Sequence, residues 1–161
     1  MKESADPVRE HLARALEWGE AHAGFDKAVD GLAADRRGTT PAGFEHSPWQ
    51  LLEHLRLAQK DLLDFARNPK YVHALEWPGD YWPKQPAPPK ADSWDESVSD
   101  FRADRDALKA LVRNSSVDLS TLVPTGEGQQ TYLRAVLLVI DHNAYHVGQL
   151  VAVRRALDAW P

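Results

Sequence analysis

The sequence predicts an all-α protein, a four-helix bundle with a long Pro- and aromatic-rich crossover loop between its second and third helices. Three observations carry this. Apolar residues recur every three or four positions in four separate segments, no segment alternates as a strand would, and the stretch 69–90 concentrates prolines and aromatics. Four amphipathic helices of roughly 20 to 30 residues are expected to share one core. At 161 residues, the whole chain, 1–161, is expected to form a single domain.

Each element has its own signals. In the first helix Val8, Leu12, Ala15, Gly19 and Ala23 step by three or four, with Asp6 as cap and Pro7 in the first turn, where a missing N–H costs nothing. Gly38, Thr39, Thr40, Pro41 and Gly43 then break the pattern. The second helix opens on a capping box, Ser47-Pro48-Trp49-Gln50, carries the stripe Leu51, Leu55, Ala58, Leu62 and Phe65, and stops at Asn68-Pro69. The stretch 69–90 holds six of the eleven prolines together with Tyr71, Trp77, Tyr81 and Trp82. Aromatics at that density argue against disorder, so this loop is expected to pack over one end of the bundle.

A second capping box, Ser93-Trp94-Asp95-Glu96, is expected to open the third helix, which is striped by Trp94, Val98, Phe101, Leu108 and Val112. Its acids come early and Lys109 and Arg113 late, as the helix dipole favours. After a turn-rich link over 118–128, the fourth helix is expected from about Gln129 to Leu157 and is the most apolar of the four.

Composition removes several classes of function. Nineteen Lys and Arg against 24 Asp and Glu give a net charge of −5, with no basic run, so a nucleic-acid partner is not expected. The absence of cysteine excludes disulfides, thiolate ligands and a cysteine nucleophile. The longest apolar run, Ala135 to Ile140, is far below the ~20 residues of a bilayer span, and no membrane partner is expected. The opening MKESADPVRE does not read as a leader, which makes the cytoplasm the expected compartment.

Chemistry concentrates in the fourth helix. After AVLLVI at 135–140 come Asp141, His142, Asn143, Ala144, Tyr145, His146, Val147, Gly148 and Gln149. Polar groups in a core helix cost several kcal/mol when they lack partners, so something must satisfy them. His142 and His146, four apart, project from one face about 6 Å apart at Cβ, a spacing that suits two imidazoles converging on a divalent ion. Gln149 lies one turn on. His54, beside the Leu51/Leu55/Ala58 stripe, faces the interior or its edge and is the third candidate. Three neutral imidazoles plus water form the open arrangement of catalytic zinc sites. Spacing alone leaves a second arrangement open, three core histidines hydrogen-bonded to one another and to carboxylates.

The other histidines read differently. His11 and His22 have charged neighbours and are expected to face solvent, His46 to serve local structure, and His73 to reach the site only if the long loop folds over it. Glu53 and Asp141 adjoin candidate ligands, but neighbours on a helix point about 100° apart, so an ion pair is expected of each rather than metal ligation.

The segments Ser47-Pro48-Trp49-Gln50-Leu51-Leu52-Glu53-His54, Asp80-Tyr81-Trp82-Pro83 and Asp141 through Leu150 resemble the DinB superfamily, which includes the YfiT-like metal-dependent hydrolases and the mycothiol- and bacillithiol-dependent enzymes. The resemblance covers about residues 6–159. It implies a four-helix bundle with a long crossover, often a homodimer, and a divalent metal held by His54, His142 and His146. In relatives a histidine often stands in the loop before the fourth helix, and Thr125 occupies that region here.

The expected function is that of a metal-dependent enzyme. Zinc or nickel, with iron or manganese as further candidates, would activate water or a low-molecular-weight thiol for hydrolysis or transfer on a small-molecule substrate. Trp49, Gln50, Tyr145 and Gln149 are the expected pocket lining, with Tyr81 and Trp82 as a lid. A metal- or ligand-binding stress protein without catalysis, and a structural dimer with a polar histidine core, remain the alternatives.

Overall fold

The computed structural model describes residues 6–17 and 19–161. Residues 1–5, on which part of the leader argument rests, and residue 18, within the expected first helix, lie outside the described residues. The all-α expectation holds: five α-helices and no strand occur among the described residues, where a lone bridge pairs Leu122 with Thr131. They are α1 (Pro7–Ala15), α2 (Phe25–Val29), α3 (Pro48–Arg67), α4 (Ser93–Arg113) and α5 (Tyr132–Ala156).

Two starts form as the sequence requires. Asp6 accepts the Val8 N–H at the head of α1, and at α3 both bonds of the Ser47/Gln50 capping box are made. Two expectations are corrected. The first helix does not run on to Ala23 but ends at Ala15, and its buried residues are Ala13 and Leu16 while Val8 is exposed. The capping box at Ser93 does not form, because Asp92 already has helical angles and Ser93 is a buried helical residue. At α5 the cap is Thr131, which accepts the Arg134 N–H.

α3 packs against both α4 and α5, α1 against α4, and α2 against α5. Two apolar clusters define the directions. One joins Leu52 and Leu55 of α3 to Trp94 and Phe101 of α4, Val147 and Leu150 of α5, and Phe25 of α2. The other joins Leu63 of α3, Leu108 and Val112 of α4, Val136 and Val139 of α5, and Ala13 and Leu16 around the end of α1. α3 and α4 are therefore parallel and α5 antiparallel to both. Parallel neighbours of some 20 residues need a return of about 30 Å, which is why the connection between α3 and α4 is long.

That connection is tied down along its length. Gln50 Nε2 donates to the Pro83 carbonyl at 3.0 Å, Ser47 Oγ donates to that of Pro86, and Gly38 sits where a side chain would collide with Ala87.

Between the two clusters lies a polar layer. Asn143 Nδ2 donates to Gln59 Oε1 at 2.9 Å, and Gln59 Nε2 to the Phe101 carbonyl at 2.8 Å, linking the three long helices through buried amides. By length and composition α5 is apolar enough to cross a membrane, with mean hydropathy 1.2 over its most apolar window. Here its buried residues, which include Asn143, His146 and Arg154, face the other helices.

Candidate metal centre

The polar layer continues into a cluster of three histidines. His54 projects from the second turn of α3, and His142 and His146 from successive turns of α5. His54 Nε2 lies 3.0 Å from His142 Nε2 and 3.1 Å from His146 Nε2. All three ligand atoms fall within 4.8 Å of one another. Four donors at zinc–nitrogen distances of 2.0–2.1 Å stand about 3.4 Å apart in a tetrahedron, so the spacing is that of nitrogens around one ion.

The far side of each ring sets its tautomer. His54 Nδ1 is 3.0 Å from the Tyr81 carbonyl oxygen, which can only accept, so Nδ1 carries the hydrogen and Nε2 the lone pair. Gln149 turns Oε1 to His146 Nδ1 at 2.6 Å and Nε2 toward Tyr145 Oη at 3.4 Å, which gives His146 the same tautomer. Two lone pairs thus face each other across 3.1 Å. His142 Nδ1 is buried and makes no hydrogen bond among the described residues, so none of them fixes its tautomer.

Burial disfavours the charged rings. It pushes His54 down to about 3 and His142 to about 4, each further lowered by the neighbouring imidazoles, and it also lowers His146. All three are neutral near pH 7, the form a metal requires.

The crossover loop builds one wall. Trp82 is sandwiched between two imidazoles, 3.7 Å from the His54 ring centre at 5° and 3.8 Å from that of His46 at 15°. Asp61, two turns beyond His54 on α3, accepts the Tyr71 hydroxyl at 2.8 Å and the Tyr81 hydroxyl at 2.6 Å. Burial and this carboxylate raise both phenols, which stay protonated.

Two clefts flank the cluster. One, of about 570 Å³, is lined by His142, Tyr145 and Arg134 of α5, Asp61 of α3, and His73 and Trp77 of the loop, among others. The second, of about 490 Å³, is lined by His46, Trp82, His146 and Gln149 with Glu45 and Tyr145.

Of the residues expected around the pocket, Tyr145, Gln149, Tyr81 and Trp82 line one or both clefts, whereas Trp49 and Gln50 line neither. Trp49 is buried in the apolar core with Leu52 and Leu55, and Gln50 is held in the capping box and against the loop. Both follow from their place at the head of α3, ahead of the turn that carries His54.

His73 lines the same cleft as His142, and His46 stacks on Trp82 and lines the other cleft. Asp61 is not singled out by the sequence reading, its one signal being the i+7 spacing from His54, and no local pattern marks His46 or His73. His11 and His22 are exposed as expected. For Glu53, burial alone would raise the carboxyl. The paired bonds from Arg56, at 2.7 and 2.9 Å, and the Ser97 hydroxyl hold it below the usual range instead. Asp141, expected in an ion pair, is exposed at the cleft and makes none among the described residues. Thr125 lines neither cleft, and its buried hydroxyl has no partner among the described residues.

A family model, that of the DinB superfamily, matches residues 17–150. Neither a curated protein nor a solved structure matches the chain.

Proposed function

The chain belongs to the DinB superfamily, and from that premise we propose that it is a metal-dependent enzyme acting on a small molecule, with His54, His142 and His146 as ligands of one divalent ion. The observation that carries the reading is the pair of Nε2 lone pairs, on His54 and His146, held 3.1 Å apart by tautomers fixed from behind. Two lone pairs at that distance repel unless a cation lies between them. A purely hydrogen-bonded core would let His142 donate to His54, yet would leave His146 Nε2 facing its neighbour unsatisfied.

Three protein ligands with open clefts on both sides match catalytic rather than structural sites, which close with four. A bound ion, zinc or nickel before iron or manganese, would acidify a water or a low-molecular-weight thiol beside it. The protein's own groups do the rest. The Tyr81 carbonyl and Gln149 aim two ligands, Trp82 shields the face of His54, and the apolar wall of Trp77, Leu62 and Leu138 receives the body of a substrate.

Elemental analysis of untagged protein tests this. About one metal per chain is expected in the wild type and none in a His142→Ala/His146→Ala double variant, with metal-dependent turnover in thiol-transfer or ester-hydrolysis screens lost in parallel. Absence of metal after soaking with zinc and nickel would overturn the reading.

A further inference from the structure

In the larger cleft, outside the histidine triad, stands a second histidine system that the metal reading does not use. His73 Nε2 lies 3.1 Å from Tyr81 Oη, and Tyr81 Oη lies 2.6 Å from Asp61 Oδ2. A hydroxyl has one hydrogen, and the carboxylate takes it. Tyr81 Oη therefore accepts from His73, whose Nε2 carries the hydrogen. The lone pair is then on His73 Nδ1, which makes no hydrogen bond among the described residues. The chain of partners, carboxylate to phenol to imidazole, orients a base as an acid–base site requires.

The placement is equally specific. His73 is exposed and lines the same cleft as His142, across from Arg134, Asp141 and Tyr145 of α5. Each oxygen of Asp61 already accepts a phenol hydrogen, one from Tyr71 and one from Tyr81. Among the described residues no hydrogen bond or ion pair fixes the Asp141 carboxylate, and Arg134 is a permanent cation that cannot accept a proton. His73 is the lining group with both a free lone pair and a fixed orientation.

We infer that His73 is the proton acceptor for the reaction at this cleft, with Tyr81 and Asp61 as its positioning residues. The inference rests on the metal-centre reading. As the nucleophile's O–H or S–H bond breaks, its electron pair forms the new bond to the electrophilic carbon and its proton passes to His73 Nδ1. The resulting imidazolium still donates from Nε2 to Tyr81 and returns the Nδ1 proton to the leaving group or to solvent.

The test uses the zinc-loaded full chain as wild type, His73→Gln and Tyr81→Phe, with 4-nitrophenyl acetate as probe and the zinc-free protein as background. Zinc content and KM are expected to stay at wild-type values in His73→Gln while kcat falls about 10²-fold, the usual scale of a lost general base. Nitrogen NMR of the His73 ring is expected to show hydrogen on Nε2 in the wild type and a mixture of tautomers in Tyr81→Phe. Wild-type kcat in His73→Gln overturns the inference, and so does loss of zinc in that variant, which would make His73 a support of the metal instead. If the zinc-loaded wild type leaves the ester untouched, the hydrolytic reading of the metal centre fails separately. The ring spectrum then decides for His73: hydrogen on Nδ1, or no response to Tyr81→Phe, overturns its assignment.

Discussion

His54 keeps its ring neutral because water cannot reach it: it is 1% exposed and covered by Trp82. That protection couples stability to pH. An unfolded histidine takes up a proton near 6.5, whereas His54 in the fold does so only near 3 and His142 near 4. Between those values the unfolded chain binds more protons, so stability is complete above pH 6.5 and falls as pH drops, by up to about 1.4 kcal/mol per unit for each such ring. Glu53, despite its burial held low by Arg56 and Ser97, enters only lower down, whereas burial raises Asp104, so the imidazole share is read as the difference between the wild type and His54→Gln. Urea denaturation of the metal-free protein should show this slope, and His54→Gln should flatten it by about one proton. A stability constant from pH 7 to 5 would contradict the burial argument.

At the scale of elements, two arginines end helices they do not belong to. Arg9 of α1 donates to the carbonyls of Val112, Asn114 and Val117 at the end of α4. Arg154 of α5 donates to Ala28 and Asp30 at the end of α2 and to Ala159 of its own tail. Arg154 is 2% exposed, so the carbonyls it satisfies have little water to turn to. Replacing it with Met keeps the bulk but leaves them unpaired, at about 1–3 kcal/mol, and Arg154→Lys, which lacks the planar fork, should recover only part. Urea midpoints read this directly, and an Arg154→Met loss under about 0.5 kcal/mol would show the fork to be dispensable.

The same bonds explain what the sequence could not display. Helix α3 was legible because its signals are local: cap, proline and stripe lie within a few residues. The periodicity of the first helix outruns the helix itself, because its three- and four-residue steps continue past Leu16, while the chain turns there with Ala13 and Leu16 set into the core. A five-residue helix such as α2 is shorter than any window in which periodicity shows, and the partners of Arg9 lie more than a hundred residues away.

Over the whole molecule, the histidine triad joins segments that are far apart in the chain: α3, α5 and, through the Tyr81 carbonyl and Trp82, the crossover loop. The triad itself was readable because two of its members share one helical face and the third sits beside an apolar stripe. The walls of the clefts were not, since His73 comes to Asp61, and Trp82 to His46, only once a 25-residue connection has folded back along parallel helices. This division implies where metal should be felt. An ion held by His54, His142 and His146 favours only conformations in which α3 and α5 are docked, and a loop bonded to His54 is stabilised with them. At a free zinc concentration of 100 times the dissociation constant, openings that destroy the site should cost about 2.7 kcal/mol more, a slowing of hydrogen exchange of about 100-fold. The slowing is expected in α3 around His54, in α5 around His142 to His146 and in the loop around Tyr81 and Trp82. α1, which touches the rest through α4 and the far apolar cluster, should change least. Hydrogen exchange read by mass spectrometry with and without zinc measures all four segments at once. Protection of both helices with an unchanged loop would mean that Tyr81 and Trp82 lie over the site without being coupled to it.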